Sequence, residues 1–247
     1  MSEEKKVAKT KEQGIVTFDE SLFEQDANLG MENVGQEDLA LPFLKVDKDT
    51  GEITNSVTGD TYPVEAKVKI LPCAYQRRFL EWTPRGVGGS APVNIYTPSQ
   101  ERPETKRDAA NMDWVVGGDT YIEENGQHFV LVVDPETGLG SPALIAMKRT
   151  ALKKSRKFNS MVASRVMKGK NGAFTPPRFS HTYFLQSSKE SNQKGDWFGW
   201  EITLDEVVQD AELYTQAKSF AESIMKGEVE VKHSAEGADS STEDVPF

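Results

Sequence analysis

The sequence predicts a mainly β fold, a small barrel with added helices. Three observations lead there: short runs of alternating apolar residues recur through the middle of the chain, Gly and Pro punctuate them, and only two segments carry helical periodicity. With 247 residues and 37% hydrophobic content, the chain can bury one sizeable core. Residues 1–37 are polar, with scattered apolar positions such as Ile15, Phe18, Leu22 and Phe23, and read as a flexible arm with one transient turn. The expected layout is this arm, a core domain over 38–227, and a disordered acidic tail over 228–247.

The compact part begins at Leu39-Ala40-Leu41-Pro42-Phe43-Leu44-Lys45-Val46, followed by turn residues at Asp47–Gly51 and Thr58-Gly59-Asp60. Alternating Val64, Ala66, Val68 and Ile70 mark a strand toward Tyr75, and Phe79 to Trp82 either extends it or begins its partner. Val93 to Tyr96 is a further short strand. Tyr121-Ile122 and Phe129–Val133 read as a hairpin about Glu124-Asn125-Gly126, because Asn-Gly supplies the positive φ of a tight turn. Ala143–Met147, Phe179–Leu185 and Trp197–Ile202 complete the strands.

One helix is expected over about Thr150 to Lys168, with Ala151, Ser155, Phe158, Val162 and Val166 on one face and Lys153, Lys154, Arg156 and Lys157 opposite. The second is expected over about Leu204 to Met225. Thr203 and Glu206 stand in capping-box register, Ala211, Tyr214, Ala217, Phe220 and Ile224 continue the stripe from Val207, and Gly227 ends it.

Charge is segregated along the chain. The net charge is -10, yet between Glu136 and Glu190 there is no carboxylate and there are eleven bases, leaving 18 bases against 39 acids elsewhere. Such segregation is an electrostatic footprint for phosphates. A helix lacking the usual Glu at four-residue spacing from its Lys residues strengthens that reading. The cationic candidates are Lys148, Arg149, Lys153, Lys154, Arg156, Lys157, Arg165, Lys168, Lys170 and Arg178.

Unpaired bases need exposed rings beside such cations. Tyr75, Arg77, Arg78, Phe79, Trp82 and Arg85 interleave the two in one segment, and Phe179 and Tyr183 follow Arg178. Strand alternation places Tyr75, Arg77 and Phe79 on one face, a stacking platform if that face is open. Trp114, Trp197, Phe198 and Trp200 are expected in packing.

Catalytic and metal chemistry find little footing. Three His and the single Cys73 have no metal-ligand spacing, and neither a nucleophile elbow nor a Walker loop is present. Asp47–Gly51 has part of a calcium-loop pattern but lacks the later ligands, and reads as a turn. No catalytic residue, metal or cofactor is expected. One Cys points to a reducing cytoplasm, and the polar N-terminus and lack of a run of about 18 apolar residues imply neither export nor a membrane partner.

The last four residues, Asp244-Val245-Pro246-Phe247, end a tail holding six carboxylates and one Lys from Glu228 onward. A terminal Phe beside the chain carboxylate offers an apolar anchor plus a negative charge to a basic-rimmed pocket on another protein. The tail resembles the C-terminal tip of bacterial and phage single-stranded DNA-binding proteins, where an acidic linker ends in Asp-Ile-Pro-Phe or a close variant; Val245 stands where Ile is usual. The Leu-Pro-Phe-Leu-Lys run is likewise similar to the opening of some phage DNA-binding proteins.

That resemblance implies an OB-like barrel that coats unpaired DNA in replication, recombination and repair. The tail would then recruit a polymerase, helicase-primase or recombinase through Asp244, Val245, Pro246 and Phe247. It implies host cytoplasm for a phage product and allows a homo-oligomer. The alternatives are a strand-annealing recombination protein, a single-strand nuclease, and an adaptor whose basic region binds an acidic protein or RNA.

Overall fold

The computed structural model describes residues 21–35, 39–84, 86–87, 89–192 and 195–233. By internal contacts the chain separates into units Met1–Gly35 and Gln36–Phe247. In the first, helix α1 (Ser21–Gln25) leads into turns where Asn28 and Gly30 take positive φ, and Phe23, Leu29, Met31 and Val34 are exposed. The remainder of the expected arm lies outside the described residues.

The second unit is mainly β. Its strands are β1 (Phe43–Val46), β2 (Ile53–Asn55), β3 (Thr61–Tyr62), β4 (Val68–Trp82), β5 (Asn94–Tyr96), β6 (Thr105–Arg107), β7 (Asp113–Val115), β8 (Tyr121–Val133) and β9 (Gly140–Lys148). Helix α2 (Leu152–Ala163), the ribbon β10 (Met167–Gly169) and β11 (Gly172–Phe174), strands β12 (His181–Asn192) and β13 (Gly195–Val207), and helix α3 (Ala211–Lys226) follow. The main sheet runs β13-β12-β4-β8-β9-β1-β2-β3, with β5 on β4 and β6-β7 on β8. Every pairing is antiparallel except β1 with β9.

The sheet curls into a half-barrel. Its far ends meet where the β1–β2 turn reaches β12 and β13: the Phe198 N–H donates to the Lys48 carbonyl at 2.8 Å and the Ser187 hydroxyl donates to the Gly51 carbonyl. Gly51 is at φ +78, and the Phe198 ring lies 2.6 Å from where its Cβ would stand, so no other residue fits there. Asp47 shapes this turn by accepting from the Asp49 and Thr50 amides, as a turn residue does.

Alternation divides the core between two faces. Val68, Ile70, Val130, Ile145, Tyr183 and Leu185 point into the curl, where Phe158 of α2 plugs them. Leu71, Cys73 and Leu131 point outward beneath Leu213, Ala217 and Ala221 of α3. The ladder between β4 and β8 shifts register between Pro72 and Ala74, a bulge at Cys73. The extra residue reverses the parity of all that follows on β4. Ala74 and Gln76 therefore face α3, and Tyr75, Arg77 and Phe79 face the curl.

Three expectations are corrected. Asn125-Gly126 is not a turn: β8 is one strand from Tyr121 to Val133, with β4 pairing Gly126 to Arg77 on one side and β9 pairing it to Met147 on the other. Its Gly is needed for closeness, because a Cβ there would lie 2.5 Å from Ser155 Oγ and 3.4 Å from Tyr75 Oη. The Thr203–Glu206 segment continues β13, held by the ladder to β12. The α3 cap is Asp210, accepting from Glu212 and Leu213 amides, and Gly227 closes the helix at φ 78. The first expected helix opens as a 3-10 turn (Arg149–Ala151) and ends at Ala163, leaving Val166 exposed and Lys168 on β10.

Beyond α3, Val229 and Val231 pack on the outer core and the His233 ring meets Phe43 edge-on at 6.0 Å. The packed body thus extends past the expected tail start at Glu228, and residues 234–247 lie outside the described ones. Gly126→Ala forces β8 away from α2. It should cost about 1–3 kcal/mol of stability by overpacking, read as a lower urea midpoint at unchanged slope; wild-type stability would sink this account of the close approach.

Candidate nucleic-acid interface

The aromatic-arginine segment of β4 divides by side-chain parity and depth. Trp82 is 5% exposed and packs in the core, and Tyr183, on β12, is 0% exposed, so neither ring is open to a base; both are corrections to the expected stacking set. Phe179 is also half-buried, edge-on to Tyr214 of α3 at 5.1 Å. Tyr75 is half-buried beneath Arg178. Arg78 turns to the outer face and donates to Gln76. Arg77 is exposed and pairs with Glu124 at 2.9 Å. Arg85 lies outside the described residues.

Phe79 stands at the mouth of the curl with a guanidinium on each of two approaches: Arg102 lies 3.6 Å and Arg77 5.1 Å from its ring centroid. Beside it opens a cleft of about 560 Å³, bordered by Arg107, Met112, Tyr121, Glu124 and Arg149. Buried Glu81 fixes the wall formed by residues 94–120, accepting from Thr120, Tyr96 and Asn94 at 2.6–2.8 Å. Those bonds, Thr120's foremost, hold its carboxyl below the ordinary range. Arg107 grips Asp113 with two hydrogen bonds. Arg149 takes the left-handed φ of 49°, donating to buried Glu123 at 2.8 Å and to Met112 Sδ.

Sequence reasoning passed over Arg102 and Arg107. Both sit in Glu101-Arg102-Pro103-Glu104-Thr105-Lys106-Arg107, where neighbouring acids hide them in any count of charge along the chain.

The carboxylate-free segment acquires carboxylates through the fold. Lys148 and Arg149 meet Glu123, Lys154 meets Glu190 at 2.9 Å, and Arg156 lies 3.7 Å from Glu124. Lys154 thus turns toward β12, and toward Glu201 of β13 at 3.9 Å, rather than away from the sheet. Arg165 bonds back to the Met161 carbonyl. Among the described residues, Lys153, Lys157, Lys168 and Lys170 are exposed with no carboxylate partner. They lie along the outward face of α2 and on the β10–β11 ribbon, where Phe174 is 47% exposed and packs over Gly169. Lys153 and Lys157 share one face of α2, a helix of about 18 Å that starts at the cleft-lining Leu152, and Lys168 and Lys170 follow on the ribbon after it.

Arg178 belongs to a buried polar cluster instead. It donates to Asn159 at 2.9 Å and to His128 Nδ1 at 3.0 Å, and burial pulls its pKa down to about 10. An arginine only donates, so His128 Nδ1 accepts and its Nε2–H donates to Ser155 Oγ at 2.7 Å. A serine nucleophile needs the reverse, an imidazole nitrogen accepting its proton. Burial, then the Arg178 charge, holds His128 neutral. Among the described residues no cluster of His, Cys, Asp or Glu is arranged to hold a metal.

A family model described as Pam3 phage gp34-like protein matches residues 10–230, covering the cleft, α2 and the ribbon. The chain belongs to the Pam3 phage gp34-like family. No curated protein and no solved structure matches this gp34-like chain. The match ends before the Asp244–Phe247 tip, which lies outside the described residues. No described helix of the gp34-like chain is long and apolar enough to cross a membrane.

His233 supplies a pH test. It accepts from Gln127 at 2.8 Å, and burial, with Lys148 and Arg78 nearby, lowers its pKa to about 4 from 6.5. Between those values the unfolded chain binds a proton that the folded one refuses, so stability is full above 6.5 and falls as pH drops toward 4. His233→Gln should flatten that fall relative to wild type in urea titrations across the window; an unchanged slope would deny the burial.

Proposed function

We propose that this protein binds single-stranded DNA, coating it during phage replication, recombination or repair in the host cytoplasm, and recruits replication or recombination proteins through its acidic tail. The curled sheet serves as an OB-like platform, and the protein acts without catalysis or cofactor. The observation that carries this reading is a set of free cations: Lys153, Lys157, Lys168 and Lys170 are exposed and lack carboxylate partners among the described residues, and the ribbon that carries the last two also carries the exposed Phe174 ring, in a chain whose net charge is -10. Cations left free on an acidic protein suit a polyanionic strand. Exposed Phe174 adds a ring on which bases stack without regard to sequence. The inverted donor order at His128 and Ser155 speaks against hydrolysis at that pair.

The test is fluorescence anisotropy of single-stranded DNA, duplex DNA and single-stranded RNA of equal length, titrated across salt with EDTA present. Salt-sensitive preference for the single DNA strand is expected; equal or absent binding would overturn the reading. Replacing Lys153, Lys157, Lys168 and Lys170 with Ala should reduce the slope of log affinity against log salt by about 0.7 per lost phosphate contact. An unchanged slope takes α2 and the ribbon out of the site.

Phe247→Ala should abolish capture of a polymerase, helicase-primase or recombinase while leaving DNA affinity intact. Loss of DNA binding instead would place the tip in the DNA-binding body.

A further inference from the structure

These cations leave the 560 Å³ cleft at the start of α2 unexplained. We infer that this cleft is a slot for one unstacked nucleobase, which lies on the Arg102 guanidinium while Phe79 backs that guanidinium from behind. The inference rests on the single-strand reading and adds where one base goes.

Charge decides what the cleft can take. Arg102, Arg107 and Arg149 border it together with Glu101, Asp113, Glu123 and Glu124, so the lining carries no cationic excess. A phosphate placed inside would meet four carboxylates, whereas a neutral flat ring is not repelled by them. The phosphodiesters therefore stay outside, on the lysines of α2, and the base turns inward. The volume falls within the range of about 300–1,000 Å³ common for small-ligand sites.

Arg102 is the residue equipped to receive the ring. Its neighbours are committed: Arg77 to Glu124, Arg107 to Asp113, Arg149 to Glu123. Among the described residues Arg102 has no carboxylate partner, and its contact with Phe79 at 3.6 Å sets the guanidinium over the ring. Unpaired bases stack on guanidinium planes as well as on aromatic rings, and a backed plane is ordered before the base arrives. Glu81 gives the wall its rigidity through its three bonds to residues 94–120.

The experiment uses the full-length chain with a single-stranded oligonucleotide carrying 2-aminopurine, whose fluorescence changes when it stacks. Wild type should bind and alter the emission. Arg102→Ala should lose about tenfold in affinity along with the fluorescence change, at an unaltered salt slope, and Arg102→Lys should behave like Arg102→Ala because charge without a plane cannot stack. Full rescue by Arg102→Lys, or a salt slope smaller by about 0.7 in Arg102→Ala, would make Arg102 a phosphate contact and overturn the slot. Wild-type affinity and emission in Arg102→Ala, with the Lys153, Lys157, Lys168 and Lys170 to Ala variant still impaired, would sink the slot and leave the single-strand reading standing. No binding by wild type would sink both.

Discussion

The bulge at Cys73 is the constraint on which the site depends. One residue inserted into the β4 ladder against β8 reverses which side chains of β4 face the curl. Before it, Val68 and Ile70 fill the inner core; after it, Tyr75, Arg77 and Phe79 occupy that same side. In an unbroken alternation these three would lie beneath α3 on the other face, Phe79 would never meet Arg102, and Tyr75 would lose His128. The buried thiol is the inserted residue, and burial raises its pKa to about 12, so it is a packing group and an inert one.

Ion pairing then sorts the cations that the fold gathers. Those packed near the sheet are matched by carboxylates from distant strands: Glu123 for Lys148 and Arg149, Glu190 for Lys154, Glu124 for Arg77 and Arg156. Lys153 and Lys157 on α2 and Lys168 and Lys170 on the ribbon, which face solvent, have no carboxylate partner among the described residues. A half-buried arginine or lysine needs a partner because desolvation of a lone charge is costly, while an exposed lysine needs none. Burial accounts for the pairing of Lys148, Arg149 and Lys154, while the exposed Arg77 and Arg156 are paired because both reach Glu124.

Much of this fold was legible in local pattern. The mainly β class, β5, the middle of β9, the first part of β12 as far as Leu185, and the C-terminal Gly stop of α3 follow from alternation and turn chemistry. What escaped detection depends on partners far along the chain. Asn125-Gly126 has the local signature of a turn, but strands on both sides claim it and α2 requires its missing Cβ. Thr203 and Glu206 mimic a helix start while β12 holds them in a ladder, and Asp210 caps instead. Tyr183 and Trp82 sit among basic residues in sequence yet point into cores. Arg102 was invisible because its role comes from Phe79, and no periodicity links those two positions.

The two ends of the curled sheet are joined in a different manner from its strands. Between β1 and β9, or β12 and β13, a ladder of hydrogen bonds makes a seam. Where the β1–β2 turn meets β12 and β13, the contacts include a backbone hydrogen bond to the Lys48 carbonyl, a bond from the Ser187 hydroxyl, and the Phe198 ring seated on Gly51. Each such bond is worth about 1 kcal/mol net. The closure is a clasp set over a shared core: Leu44, Val46 and Ile53 from one end of the sheet lie in the same buried cluster as Trp200 and Ile202 from the other, so where the ladder stops it is side-chain packing that keeps the curl shut.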